Sequence, residues 1–213
     1  MRRLPVYLLL DTSGSMTGEP IESVKNGVQM LLTALRQDPY ALETAYLSII
    51  TFNSTAQQLM PLTELSLFQA PELVASGTTA LGDALELLSN KIETEVNKTT
   101  IETKGDWKPM VFIMTDGVPT DDWEKKLPLF QSKKVGITVA CAAGPSADTA
   151  PLKKITEIVV QLDSADAASI AAFFKWVSAS ISTGSQKVES GPGIDLTKAS
   201  ELPPPPPEIN LVV

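Results

Sequence analysis

Short, wholly apolar runs alternate along the chain with longer stretches in which apolar residues recur every three or four positions. That is the rhythm of strands and helices taking turns. Residues 6–10 are apolar on both faces, as a strand covered on both sides of a parallel sheet must be. Pro20 suits the first turn of a helix, in which Val24, Val28, Leu31, Leu32 and Leu35 keep helical spacing up to a stop near Asp38-Pro39. Residues 45–52 predict a second strand, and 56–60 an antiparallel partner joined to it through a turn at Asn53-Ser54. A loop over 77–80 feeds a long helix, 81–95, whose apolar face is Leu81, Ala84, Leu85, Leu88 and Ile92. The polar stretch 98–108 reads as an exposed connection. Strand 110–114, a helix over 122–132, strand 137–142, a short helix at 152–156 and an edge strand at 158–162 follow. Asp166 then caps a final helix, 167–181, with Ile170, Phe173, Phe174 and Val177 toward the core.

Strands separated by helices give an α/β class: a doubly wound, Rossmann-like, mostly parallel central sheet with one antiparallel edge strand and helices on both faces. Residues 1–182 form that domain, and 183–213 a proline-rich C-terminal tail. Five successive prolines, 203–207, favour a stiff polyproline II rod. It fits an extended linker, a ligand for a proline-binding groove, or a strap along the domain's own surface. The apolar end Ile209-Asn210-Leu211-Val212-Val213 is expected to dock.

Composition removes several chemistries. The 213 residues suit one largish domain and contain no histidine, which excludes a Ser-His-Asp or Cys-His nucleophile and any imidazole metal site. The single cysteine, Cys141, lies in an apolar strand and reads as a buried, inert thiol. A net charge of -8 argues against nucleic-acid binding, which needs clustered Lys and Arg. Met1-Arg2-Arg3 with the apolar stretch behind it superficially resembles a signal peptide, but Pro5 interrupts it, Asp11 ends it and no small-residue cleavage pattern follows. No run approaches the ~18 apolar residues of a membrane span. The expectation is a cytoplasmic protein with no direct membrane insertion.

Three oxygen-rich loops follow apolar segments: Asp11-Thr12-Ser13-Gly14-Ser15, Ser76-Gly77-Thr78-Thr79-Ala80-Leu81-Gly82-Asp83 and Thr115-Asp116-Gly117. The first and third cap strands that are central neighbours in a doubly wound sheet, so both carboxylates converge on the rim where such sheets place their ligands. Carboxylate and hydroxyl oxygens suit hard divalent cations. Glu19, Asp121 and Asp122 read as solvated caps and helix starts, and Asp83 as a stabiliser of its own helix start. Trp123 fits an exposed contact platform or packing against the domain equally well.

With these motifs the chain resembles the von Willebrand factor A domain and its metal-ion-dependent adhesion site. Asp11-x-Ser13-x-Ser15 matches the family's Asp-x-Ser-x-Ser motif, residues 76–85 resemble its middle loop, and Thr115-Asp116-Gly117 resembles its second aspartate motif; the resemblance covers residues 4–182. It implies a metal set of Asp11, Ser13, Ser15, Thr79 and Asp116, the carboxylates acting directly or through water. Thr78 stands where relatives often have glycine and stays eligible beside Thr79, which the register on Gly82-Asp83-Ala84-Leu85 favours. Mg²⁺ is the implied ion, with Mn²⁺ or Ca²⁺ as alternatives. The compact domain with its proline-rich tail is also similar to bacterial TerY-like tellurite-resistance proteins, which implies partners among the other products of that system, kinase- and phosphatase-like proteins included.

The function so implied is non-catalytic: a cation-dependent protein-binding module whose metal shell is completed by a partner's Asp or Glu. A scaffold with an empty site is a second possibility. The rival from another class is a Mg²⁺-dependent phosphohydrolase of haloacid-dehalogenase type with Asp11 as nucleophile. That chemistry wants a second acid two residues on, where this chain has Ser13.

Overall fold

The computed structural model describes residues 2–189 and 202–212. In chain order its strands are β1 (Leu4–Asp11), β2 (Ala45–Phe52), β3 (Ala56–Glu64), β4 (Met110–Thr115), β5 (Thr138–Ala143), β6 (Ile158–Leu162) and β7 (Ile209–Leu211). The helices are α1 (Glu19–Arg36), α2 (Pro39–Thr44), α3 (Leu81–Glu95), α4 (Trp123–Gln131), α5 (Thr149–Ile155) and α6 (Ala167–Glu189), with a single 3₁₀ turn at Gly14–Met16. The strands form one sheet in the order β3-β2-β1-β4-β5-β6-β7. The five inner strands run parallel, and β3 and β7 lie antiparallel on the two edges.

Side chains alternate along β1 and so divide the core in two. Val6, Leu8 and Leu10 face the layer built with α1 and α6, among Val28, Leu31, Phe112, Phe173 and Phe174. Tyr7 and Leu9 face the opposite layer, with Leu85 and Leu88 of α3, Phe130 of α4 and Leu152 of α5. Every residue of β1 and β4 is buried, which is why those strands read as unbroken apolar runs. Cys141 is buried as expected, and burial pushes its thiol pKa up.

The architecture matches the expected doubly wound class and departs from it in detail. The sheet carries a second antiparallel edge: the apolar C-terminal run docks as β7 on β6, which is therefore covered rather than terminal. The final helix passes residue 181 and continues to Glu189, so the boundary expected at 182 falls inside α6. Residues 202–212 lie along the domain, Leu202 packing on the core and the Trp176 indole Nε1 donating to the Pro203 carbonyl at 2.8 Å. That is the strap arrangement of the proline tract.

The stretch 98–108 is not exposed throughout, because Arg3 draws its end inward. The guanidinium of Arg3 grips the Asp106 carboxylate (Nε to Oδ1, 2.9 Å) and donates to the Glu95 carbonyl. Finally, α2 is an additional short helix in which Asp38 accepts from the amides of Tyr40 and Ala41 at 2.9 and 3.3 Å.

Candidate metal site

Parallel pairing of β1 with β4, Leu10 opposite Met114, delivers Asp11, Thr115 and Asp116 to one rim of the sheet. Asp11 is 1% exposed. Its Oδ1 accepts from the Ser13 amide at 2.7 Å, and its Oδ2 from the Thr115 hydroxyl at 2.5 Å. The Ser13 and Ser15 hydroxyls lie 3.0 Å apart, and Ser15 Oγ donates to Asp116 Oδ1 at 2.7 Å. Two carboxylates, two serines and Thr115 thus form a continuous polar ring.

Thr79 faces this ring and Thr78 does not. A Cβ built on Gly117 would lie 3.2 Å from Thr79 Oγ1 and 3.9 Å from Ser15 Oγ, so the buried Thr79 hydroxyl faces the Asp116-Gly117 turn on the Ser15 side. Thr78 is exposed and turns away, its amide and hydroxyl 3.2 and 3.4 Å from Ser54 Oγ.

Backbone bonds sew the first two loops together and tie the middle one to the turn between β2 and β3. The Gly14 amide donates to the Gly77 carbonyl (2.9 Å), Ser76 to Thr12 (2.8 Å) and Ala80 to Asn53 (2.7 Å). Gly77 sits at φ +75°, where a Cβ would stand 2.3 Å from Ser54 Oγ, so the turn that brings this loop to the rim requires glycine.

Asp121, read from sequence as a solvated helix start, instead reaches across to α3. Its Oδ1 accepts from the Gly82 amide at 3.1 Å and its Oδ2 from the Asp83 amide at 3.0 Å. Gly82 permits that approach: its Cβ would be 2.6 Å from the Trp123 Cα. Thr120 and Thr79 are bonded reciprocally, Thr120 N to Thr79 O at 2.9 Å and Thr79 N to Thr120 Oγ1 at 3.1 Å. Asp122 pairs with Lys125, and Glu19 accepts from the Ala167 amide at 3.4 Å. Trp123 packs against its own domain with Lys154 Nζ 5.4 Å from its ring centre.

Sequence reasoning gave no role of their own to the Thr115 and Thr120 side chains and the wrong one to Asp121. Their partners lie 38 to 104 residues away, and no local spacing announces such pairs. The one available signal was the hydroxyl ending the strand next to β1.

Burial pushes the Asp11 carboxyl pKa up, hydrogen bonds from Ser13 and Thr115 oppose the shift, and the nearby Asp116 charge adds to it. The ionised carboxylate is thus held by neutral donors alone. A set of hard oxygens with uncompensated negative charge fits a divalent cation such as Mg²⁺. Among the described residues no group of three or more His, Cys, Asp or Glu side chains could hold a metal, so any affinity here depends on the hydroxyls.

Residues 6–174 match the family model of the von Willebrand factor type A domain. Among solved structures, proximal thread matrix protein 1 from the mussel byssus is 16% identical, with a TM-score of 0.66 over 84% of this chain and 48% of that one. The pilus adhesin SpaC from Lactobacillus rhamnosus GG, in its open conformation, is 16% identical, with a TM-score of 0.65 over 86% and 30%. A further structure of the mussel protein, described as having a zinc-occupied MIDAS motif, is 19% identical, with a TM-score of 0.58 over 83% and 46%. At such identities these likenesses establish the fold, and the chain spans less than half the length of each of these proteins. No curated protein matches. Among the described residues no helix is long and apolar enough to cross a membrane.

Proposed function

The chain belongs to the von Willebrand factor type A domain family, and from that premise we propose that it is a non-catalytic, divalent-cation-dependent protein-interaction module. Its cation would be held by Asp11, Ser13, Ser15, Thr79 and Asp116. The observation that carries this reading is the ring itself: Ser13 and Ser15 hydroxyls between two carboxylates, with Thr79 facing the same turn. The ion supplies positive charge that the neutral donors around Asp11 do not. Hydroxyl ligands leave it short of negative charge, so a carboxylate from a partner's Asp or Glu is a favourable further ligand. Mg²⁺ is the expected ion, with Mn²⁺ or Ca²⁺ as alternatives, and the zinc-occupied motif named for the mussel protein supports a divalent cation at this place in the fold.

The phosphohydrolase alternative has little chemical support. Both oxygens of Asp11 are engaged, by the Ser13 amide and the Thr115 hydroxyl, which leaves a poor nucleophile. The position of the second acid is Ser13. The likeness to bacterial tellurite-resistance proteins extends the proposal to a setting: a cytoplasmic scaffold in a resistance or stress-response complex, with partners among kinase- or phosphatase-like proteins of that system.

Calorimetric titration of purified protein with Mg²⁺, Mn²⁺ and Ca²⁺ is expected to show one site, lost in Asp11→Ala and Ser13→Ala. Capture of partners is expected in Mg²⁺ and not in chelator, the fold staying intact by circular dichroism. Undiminished partner capture in chelator by well-folded protein would sink the proposal. A phosphatase assay with Asp11→Asn as control tests the alternative.

A further inference from the structure

We infer that Thr120 and Asp121 are positioning residues of the cation site, a role that rests on the cation reading above. They act through Thr79. Asp11 and Asp116 carry charge and are drawn to a cation wherever the loops lie, whereas a neutral threonine hydroxyl must be set in place beforehand. Thr79 stands near the end of a stretch, residues 65–80, that contains no helix or strand. The bonds of its neighbours Ser76, Gly77, Thr78 and Ala80 run to Thr12, Gly14, Ser54 and Asn53, and none of them reaches the Asp116 loop.

The loop after β4 makes that link itself. Thr120 takes the Thr79 amide on its hydroxyl and gives its own amide to the Thr79 carbonyl, so the residue is clamped on both sides of its Cα. One residue on, Asp121 accepts the first free amides of α3, from Gly82 and Asp83, and pins the helix start to the same loop. Because Asp116 and Thr120-Asp121 belong to one loop, Thr79 is held in register with Asp116 as well as with its own neighbours. The close approach of Gly82 to the Trp123 backbone leaves little room for that register to slip. Outer-shell partners of this kind typically govern 10–100-fold in metal affinity.

Thr120→Val keeps the side chain's shape and removes its acceptor, Thr120→Ser keeps the acceptor, and Asp121→Asn leaves one carbonyl oxygen where two accepted. Three readouts separate positioning from bulk stability: the unfolding midpoint in chelator, the Mg²⁺ affinity by calorimetry, and hydrogen exchange at the Thr79, Gly82 and Asp83 amides in chelator. The expected result is Mg²⁺ affinity lowered about 10-fold or more in Thr120→Val and Asp121→Asn, near wild-type affinity in Thr120→Ser, and faster exchange at Thr79 in Thr120→Val. Should Asp121→Asn fail to fold, the Thr120 pair decides alone. Wild-type Mg²⁺ affinity in Thr120→Val, or equal losses in the Val and Ser variants, overturns the inference while the site stands. A wild-type protein that takes up no divalent cation overturns the cation reading itself, and this inference with it.

Discussion

The two ends of the sheet hold the same kinds of residues and use them in opposite ways. At the amino end, beneath the start of β1, Arg3 closes on the Asp106 carboxylate, which is only 4% exposed, and the Asn97 amide donates to the same group. Arg2 donates to the Gly105 carbonyl at 2.6 Å and lies 3.8 Å from the Trp107 ring centre, while Tyr7 donates to Glu95. The carboxylate there has its counter-charge within the chain. At the carboxyl end, Asp11 and Asp116 are held by hydroxyls and one amide. Burying a charge among neutral donors leaves a cost that an outside cation can remove. One end is a closed structural clasp. The other is built to be completed.

The largest effect comes from breaking the closed end. Arg3→Ala strands the Asp106 charge, and removing one member of such a pair costs about 3 kcal/mol. Urea unfolding is expected to show that loss while Mg²⁺ affinity stays at the wild-type value; a loss of affinity as large as that of Asp11→Ala would merge the two ends into one system. The open end should respond in reverse. In chelator, Asp11→Asn is expected to unfold no earlier than wild type, since it removes a charge that burial opposes. With Mg²⁺ at a hundred times its Kd, wild type gains about 2.7 kcal/mol by mass action and Asp11→Asn gains none. A scan of thermal midpoints with and without Mg²⁺ reads both.

Gly77→Ala attacks the shape of the open end rather than its charge. An alanine at φ +75° with its Cβ against Ser54 costs about 1–2 kcal/mol. The loop it deforms carries Thr79, so the expected signature is a cation affinity that falls more than the unfolding midpoint does. Equal loss of Mg²⁺ affinity in Gly77→Ala and in Arg3→Ala, each scaled to its own destabilisation, would remove that distinction.

How far the two ends could be read from the chain follows from where their partners lie. Asp11, Ser13 and Ser15 sit in one turn, and β1 is an unmistakable buried strand, so the rim and its residues were legible. Thr79 followed from the register of a helix start. The amino-end clasp was not legible, because Arg3 and Asp106 are 103 residues apart and the polar stretch around Asp106 gives no sign of folding inward. β7 escaped for a similar reason: three residues carry no periodicity, and their partners in β6 are far away in the chain. Asp121 misled because an acid just before a helix is ordinarily that helix's cap, whereas its carboxylate serves α3 instead of α4. Local pattern reveals elements and turns; side-chain pairing between distant segments stays hidden in it.

Asp166 sharpens the comparison with the smallest effect. It too lies at the carboxyl end of the sheet, just past β6, and is held by neutral donors as Asp11 is, yet it is not buried, so its donors are not opposed by the burial that raises Asp11. The Ser164 hydroxyl donates to its Oδ2 at 2.6 Å and the Ser169 amide to its Oδ1 at 2.8 Å, and these bonds hold its pKa below the ordinary carboxylate range. A carboxylate depressed in the folded state stabilises the fold above the pKa it has when unfolded, and that contribution is lost as pH falls through the folded value. Asp166→Asn retains a capping oxygen but cannot titrate. The stability difference between wild type and this variant is therefore expected at neutral pH and should close on acidification, as followed by urea midpoints from pH 7 to pH 2. A difference that stays constant or widens toward acid would mean that these donors do not favour the ionised form of Asp166, and that shallower burial does not by itself set it apart from Asp11.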